Sequence, residues 1–277
     1  MGLNYSDKKG QKALSPVNFF KMASENIPRV AALYRYPVKG LSAEPLESIR
    51  LSAGGGIPGD RAYAIENGPS GFDPAAPKFF PKANFLMLMR NEGLAAFATR
   101  FDQTTRVLTV ARDGETLATG NLDTEAGRRA IEAFFEAHMA NDLRGPPKVL
   151  SAPGHSFDDC GTPLVSLINL ASLTDLEGPV GVPVHPLRFR GNLYVEGLPA
   201  WREFDLVGTR VRIGGVLLEA SERINRCAAT NVNPETAARD LAVPRTLLGA
   251  YGHSDCGIYL NVIESGEIAI GDTLSPA

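Results

Sequence analysis

A chain of 277 residues that is 44% hydrophobic and 21% charged holds enough apolar material for one large domain or two smaller ones. A net charge of −3 argues against a broad basic surface, and so against nucleic acid as a partner. Three cysteines, none in a CxxC pair, are too few for a disulfide framework and fit a reducing compartment such as the cytoplasm; the apolar runs are short and interrupted, so no membrane span is expected.

The first 26 residues carry Lys8, Lys9, Lys12 and Lys21 with no continuous apolar stretch behind them, and read as a mobile tail, not as a secretory signal. Strand character starts at Val30 to Tyr36 and stops at Pro37. Leu46 to Leu51 alternates apolar with polar, as a half-buried strand does. Gly54 to Gly59 matches the letters GxGxxG. That fingerprint needs a helix to begin inside it, so that backbone N–H groups meet a pyrophosphate. Here Pro58 removes a donor and Arg61 to Ile65 reads as strand, so the stretch is taken as a turn. Asn67 to Phe80, rich in Gly, Pro and Phe, reads either as a lid or as an ordinary loop.

Glu92 to Phe101 is expected to be a short helix. Arg106 to Arg112 and Glu115 to Ala118, joined by Asp113-Gly114, form an expected hairpin, since Asp-Gly supplies the positive φ of a tight turn. Asp123 to Met139 is the best-marked helix: Asp123 or Thr124 caps it, and Ala130, Ile131, Phe134, Phe135 and His138 share one stripe. His138 is read as a packed residue, not a ligand. Arg144 to Pro147 is a candidate boundary. Beyond it, strands are expected at Leu164–Ile168, Leu193–Glu196, Thr209–Ile213, Val216–Glu219, Ile258–Ile263 and Glu267–Ile270, with a short helix at Asn169–Glu177. Gly turns between closely spaced strands favour antiparallel pairing in a barrel or strongly curved sheet; the strand–helix alternation of a doubly wound fold is missing.

Chemistry concentrates on Cys227, in the polar run Glu222 to Glu235 between Arg223 and Arg226 on one side and turn formers on the other. A thiol beside guanidinium groups ionises more readily, and the thiolate is both nucleophile and soft metal ligand. The alternative is a small buried hydrophobe. Two loops echo each other, Gly154 to Gly161 and Gly252 to Gly257, and gather His155, Asp158, Asp159, Cys160, His253, Asp255 and Cys256. Zinc accepts such ligands, but the paired spacing of a zinc ribbon is absent and ordinary polar loops are the preferred reading. No GxSxG elbow supports a serine hydrolase. Lys39, Arg61, Arg188 and Arg190 sit at strand ends or turns. They suit a phosphate or carboxylate if they converge, and are solvated charges if they do not.

Four segments in order resemble one family. Tyr36-Pro-Val-Lys-Gly-Leu41 with Gly59-Asp-Arg-Ala-Tyr63 resembles the N-terminal β-barrel that accompanies MOSC domains (molybdenum cofactor sulfurase C-terminal domains). Pro186 to Glu196 resembles the R-F-R-x-N strand of the MOSC domain, and Arg226 to Pro234 its R-C-x-x-T-x-V-[DN]-P segment. Tyr251-Gly252 with Cys256 to Leu260, then Gly266 and Gly271-Asp272, resembles its closing strands.

The resemblance implies a mainly β, α+β architecture: an antiparallel β-barrel MOSC domain at 148–277, packed with an N-terminal β-rich barrel-like domain at 27–147, after a tail at 1–26. Enzymatic members, typified by the mitochondrial amidoxime-reducing component, hold a molybdenum–pterin cofactor. By resemblance Cys227 is the metal ligand, and Lys39, Arg61, Arg188 and Arg190 grip the pterin phosphate with Asn192 as neutral partner. Thr230 and Asn231 lie beside the metal-bearing turn. The implied activity is reduction of N-hydroxylated or other N–O/S–O small molecules. Three cysteines cannot bind an iron–sulfur cluster, so electrons come from a separate carrier protein. The alternative is a sulfur carrier that takes sulfane sulfur on Cys227 from a pyridoxal-phosphate-dependent desulfurase. The chain departs from the family at Ile224 and Asn225, where another cysteine is common, at Asn233, where aspartate is commoner, and at Ala237, where glycine is common.

Overall fold

The computed structural model describes residues 27–277, so the expected tail lies outside the described residues. The first strands are β1 (Arg29–Arg35), β2 (Glu44–Leu46), β3 (Ser48–Leu51) and β4 (Ala64–Asn67). The single strand expected at Leu46 to Leu51 is broken at Glu47: β2 pairs with β1, whereas β3 pairs with a strand near the C-terminus. Gly54 to Gly59 is a turn with no helix behind it, and β4 starts after Arg61, whose φ of 49° places it in that turn.

The helix expected at Glu92 to Phe101 is instead a 3-10 turn, Glu92–Ala96, followed by β5 (Ala98–Phe101). So short a helix is marginal in water, and the open edge of β6 (Val107–Arg112) offers a full set of ladder bonds. The Asp-Gly hairpin forms as expected: β6 turns into β7 (Glu115–Asn121) with Asp113 at φ 52° and Gly114 at φ 82°. Helix α1 (Glu125–His138) is capped by Thr124, whose hydroxyl accepts from Gly127 N. It buries Ile131, Phe134 and Phe135 against β7 and β8 (Pro147–Leu150), while His138 stacks on Phe134 at 4.3 Å. β8 follows the Arg144 to Pro147 run and pairs back onto β4.

The second half contains β9 (Val165–Asn169), α2 (Leu170–Val180), β10 (Leu193–Glu196), β11 (Arg210–Ile213), β12 (Val216–Asn225), α3 (Val243–Tyr251), β13 (Asp255–Glu264), β14 (Gly266–Ala269) and β15 (Leu274–Pro276). α3 has Pro244 in its first turn and Gly252 at φ 76° as its C-cap, start and stop signals that stand in the sequence.

The main sheet runs β15-β11-β12-β13-β9-β10-β1-β2 and curls into a half-barrel. Its pairs are antiparallel except β9–β10, which α2 connects as a parallel crossover. β12 and β13 are both longer than expected. Three register shifts interrupt their pairing, at Leu217/Leu218, Ala220/Glu222 and Arg223/Asn225, and such bulges bend a ladder toward closure. Val30 and Leu33 of β1 belong to the same core as Leu167, Leu218 and Ile258. A second core, around Tyr63, Leu108, Ile131 and Phe135, fills the other body. Among the described residues no helix is long and apolar enough to cross a membrane.

Candidate functional site

The bulged end of β12 delivers Arg226, whose N–H bonds Ser254 O at 2.9 Å. Cys227 then caps a 3-10 turn, Ala228–Asn231. Thr230 closes that turn twice onto Cys227 O, from its N–H (3.1 Å) and its hydroxyl (2.9 Å). The half-buried Cys227 side chain lines a cavity of about 480 Å³ with walls from both halves of the chain.

Lys39, Arg61, Arg188, Arg190, Asn192 and Thr230 all line this cavity; Asn231 does not. The Asn231 side chain instead caps α3, accepting from Val243 N at 2.9 Å. Asn192 is tied into the sheet: its side-chain oxygen accepts from Ser166 and its side-chain amide donates once, to Tyr34 O. Lys39 is buried and donates to Phe157 O (2.7 Å) and Asp159 (2.5 Å); burial lowers its pKa and the Asp159 carboxylate offsets only part of that. Arg61 and Arg190 both lie over the Tyr36 ring, at 4.5 and 4.3 Å. Burial works against the Arg61 charge, but the Asp60 carboxylate outweighs it and holds the pKa above the ordinary value. Arg190 has no carboxylate bound among the described residues, and burial pushes its pKa down to about 10. Arg188 reaches behind the cysteine turn, to Asn231 O (3.0 Å) and Asp240 (2.7 Å).

Among the described residues, three buried guanidinium nitrogens have no partner: Arg188 Nε, Arg190 Nη2 and Arg226 Nη2. An unmet buried donor costs about 1–3 kcal/mol. Three of them on residues that line one cavity suit an oxyanion with several acceptor atoms.

Two family models match the chain: the MOSC N-terminal beta barrel domain over residues 27–142 and the MOSC domain over 155–275. The chain is a MOSC-domain protein. MOSC domains occur in proteins related to molybdenum cofactor sulfurase. No curated protein matches it. Among solved structures it is similar to the YuaD protein from Bacillus subtilis, at 15% identity over 89% of this chain and 93% of that one, TM-score 0.42. It is also similar to YiiM from Geobacillus stearothermophilus, at 19% identity over 41% of this chain and 53% of that one, TM-score 0.33. With both scores below 0.5, the assignment rests on the two domain models.

The MOSC domain presents Cys227, but a further cation of its cavity comes from the N-terminal barrel domain. Lys82 lines the same cavity as Cys227 and pairs with Asp159 at 3.1 Å. Burial opposes the Lys82 charge; Asp159 and then Cys227 outweigh it and raise its pKa. The expected cations, the sequence neighbours, point elsewhere. Arg223 lies over Phe204, and Arg226 donates to Cys256 O and Phe189 O. Nothing in the sequence near Cys227 signals Lys82, which follows the Asn67 to Phe80 segment. That segment packs Phe72 and Phe80 onto Phe157 and Phe85, and its outer part, Pro74 to Phe79, lines a separate cavity.

Cys160 and Tyr259 also line the MOSC cavity, and burial pushes the Cys160 thiol up. The two echoing loops diverge. His155 packs on Phe72 and Phe157, His253 on Phe204 and Tyr251, and Cys256 is fully buried. Among the described residues no group of three or more His, Cys, Asp or Glu converges as a metal site.

Proposed function

We propose that this MOSC-domain protein is a molybdenum–pterin oxidoreductase that removes oxygen from N-hydroxylated or other N–O/S–O small molecules. One observation carries the reading: a half-buried cysteine shares a cavity with Arg188, Arg190 and Arg226, each of which keeps one buried guanidinium nitrogen without a partner among the described residues. The donor set fits the group on both sides, a sulfur for the metal and cationic N–H groups for a dianionic phosphate. When bound, the cofactor would supply the two-electron removal of oxygen.

The chain's own residues bind and orient. Arg190 and Arg226 offer free N–H groups to phosphate oxygens, and Arg61 and Lys39 add charge. Thr230 fixes the turn that aims Cys227, and Lys82 keeps a proton-bearing Nζ in the same cavity. Each oxygen leaving as water consumes two protons and two electrons. The electrons come from a separate carrier, and the protein works in the reducing cytoplasm, where its cysteines stay thiols.

The test is metal and pterin analysis of protein made in a host that synthesises the cofactor. Near-stoichiometric molybdenum with released pterin is expected, with molybdenum lost in Cys227→Ala and pterin retention weakened in Arg190→Ala. Persulfide on Cys227 without molybdenum would overturn the reading in favour of a sulfur carrier fed by a pyridoxal-phosphate-dependent desulfurase.

A further inference from the structure

We infer that Arg239 is the positioning residue for Cys227, a clamp that sets the cysteine turn against the wall contributed by the N-terminal barrel domain. The inference rests on Cys227 being the reactive group, and holds whether that group binds metal or carries sulfur.

Arg239 lies on no strand or helix and belongs to none of the segments that resemble the family. Its guanidinium makes four bonds across two parts of the chain. Nη1 donates to Ala228 O at 3.0 Å, on the residue immediately after Cys227. Nη2 donates to Leu88 O (3.1 Å), Met89 O (3.2 Å) and the Glu92 carboxylate (2.8 Å). Leu88 and Met89 line the same cavity as Cys227, so one planar fork spans both walls.

The intervening loop is built to return Arg239 to this place. Asn233 Oδ1 accepts from Glu235 N and Thr236 N, and its Nδ2 donates to Asp240. Val232 and Arg239 then form an isolated antiparallel bridge. Arg188 pins both ends from behind, at Asn231 O and Asp240. The Glu92 carboxyl is held below its ordinary range chiefly by the Arg239 hydrogen bond. Lysine cannot replace this arrangement, because a single ammonium lacks the fork that reaches four acceptors on two elements.

The test is the rate of iodoacetamide alkylation at Cys227 in the cofactor-free protein, read by peptide mass spectrometry with Cys160 of the same cavity as internal reference. Arg239→Met should change the Cys227 rate about tenfold, the effect of losing restraint worth about 1.4 kcal/mol, while the Cys160 rate holds. Arg239→Lys should not restore it, and Glu92→Gln should give a smaller change in the same direction. Glu92→Gln also serves if Arg239→Met does not fold. Equal changes at both thiols would mean general loosening and would overturn the inference, as would no change at either. A failure of molybdenum binding leaves the outcome readable.

Discussion

Ala237 holds a backbone φ of 57°, in the left-handed region that costs a residue with a Cβ about 1–2 kcal/mol. Family resemblance puts a glycine there, and the geometry shows why. Ala237→Gly should raise unfolding stability by about 0.5–1 kcal/mol after the added freedom of the unfolded chain is subtracted. A urea midpoint that stays put or falls would refute the strain. At the cavity, Asp159 is shared by Lys39 at 2.5 Å and Lys82 at 3.1 Å. Burial alone would raise its pKa, but Lys39 and then Lys82 outweigh it, and the net direction is down. A depressed carboxylate stabilises the fold above its unfolded pKa, about 3.9, and that contribution is lost as pH falls through the folded value. Asp159→Asn should therefore lose on the order of 2 kcal/mol at pH 7, a figure discounted because the carboxylate is 44% exposed, and should lose less further stability than the natural chain on acidification.

Two packed elements carry their own tests. Where α1 crosses β7, Gly120 and Gly127 bring the backbones together, and a Cβ on either would collide with main-chain atoms of the other element. Gly127→Ala should cost about 3 kcal/mol or more, since no flexible side chain can give way. Glu203, in the 3-10 turn Arg202–Leu206, ties α2 to the end of β9. Fully buried and without a cation partner among the described residues, it accepts from Asn169 Nδ2 (3.0 Å) and Ser172 Oγ (2.8 Å). Burial raises its pKa. The fold thus prefers the protonated acid, and that preference stabilises most below the unfolded pKa of about 4.3 and fades as pH rises through the folded value. The stability of Glu203→Gln relative to the natural chain should consequently climb from pH 4 to pH 8 in chemical unfolding. A flat difference would show that the carboxylate ionises in the fold as it does in the unfolded chain.

At the scale of the molecule, the two halves cannot be parted at the Arg144 to Pro147 run. β1 lies within the main sheet between β10 and β2, and brings Val30 and Leu33 into its core. The cavity takes Lys39, Arg61, Lys82 and Met87 from the first half and Arg188, Arg190 and Cys227 from the second. A fragment of residues 148–277 should lack fixed tertiary packing, read as lost near-ultraviolet circular dichroism, because β10 would present an open edge above an unfilled core. A cooperative, natively packed fragment would contradict this. Supplying residues 27–147 in trans should restore the signal.

Local signals in the sequence determined much. The Asp-Gly hairpin, the capped amphipathic helix α1 and most second-half strands each announce themselves within a dozen residues, because turn chemistry and side-chain period are short-range. Cys227 and its cationic companions Lys39, Arg61, Arg188 and Arg190 were also visible, through motifs that keep fixed local spacing. Tertiary structure alone decided the break at Glu47, the strand in place of a helix at Ala98–Phe101, and the insertion of β1 beside β10, since each depends on which edge is open for pairing. It also decided that Lys82 joins Cys227 in one cavity while Arg223 and Arg226 turn to Phe204, Cys256 and Phe189, that Asn231 caps a helix, and that Arg239 bonds the cysteine turn at Ala228 O. Charge and hydrogen bonding act through space, and the chain distance between these groups leaves no local trace of the contact.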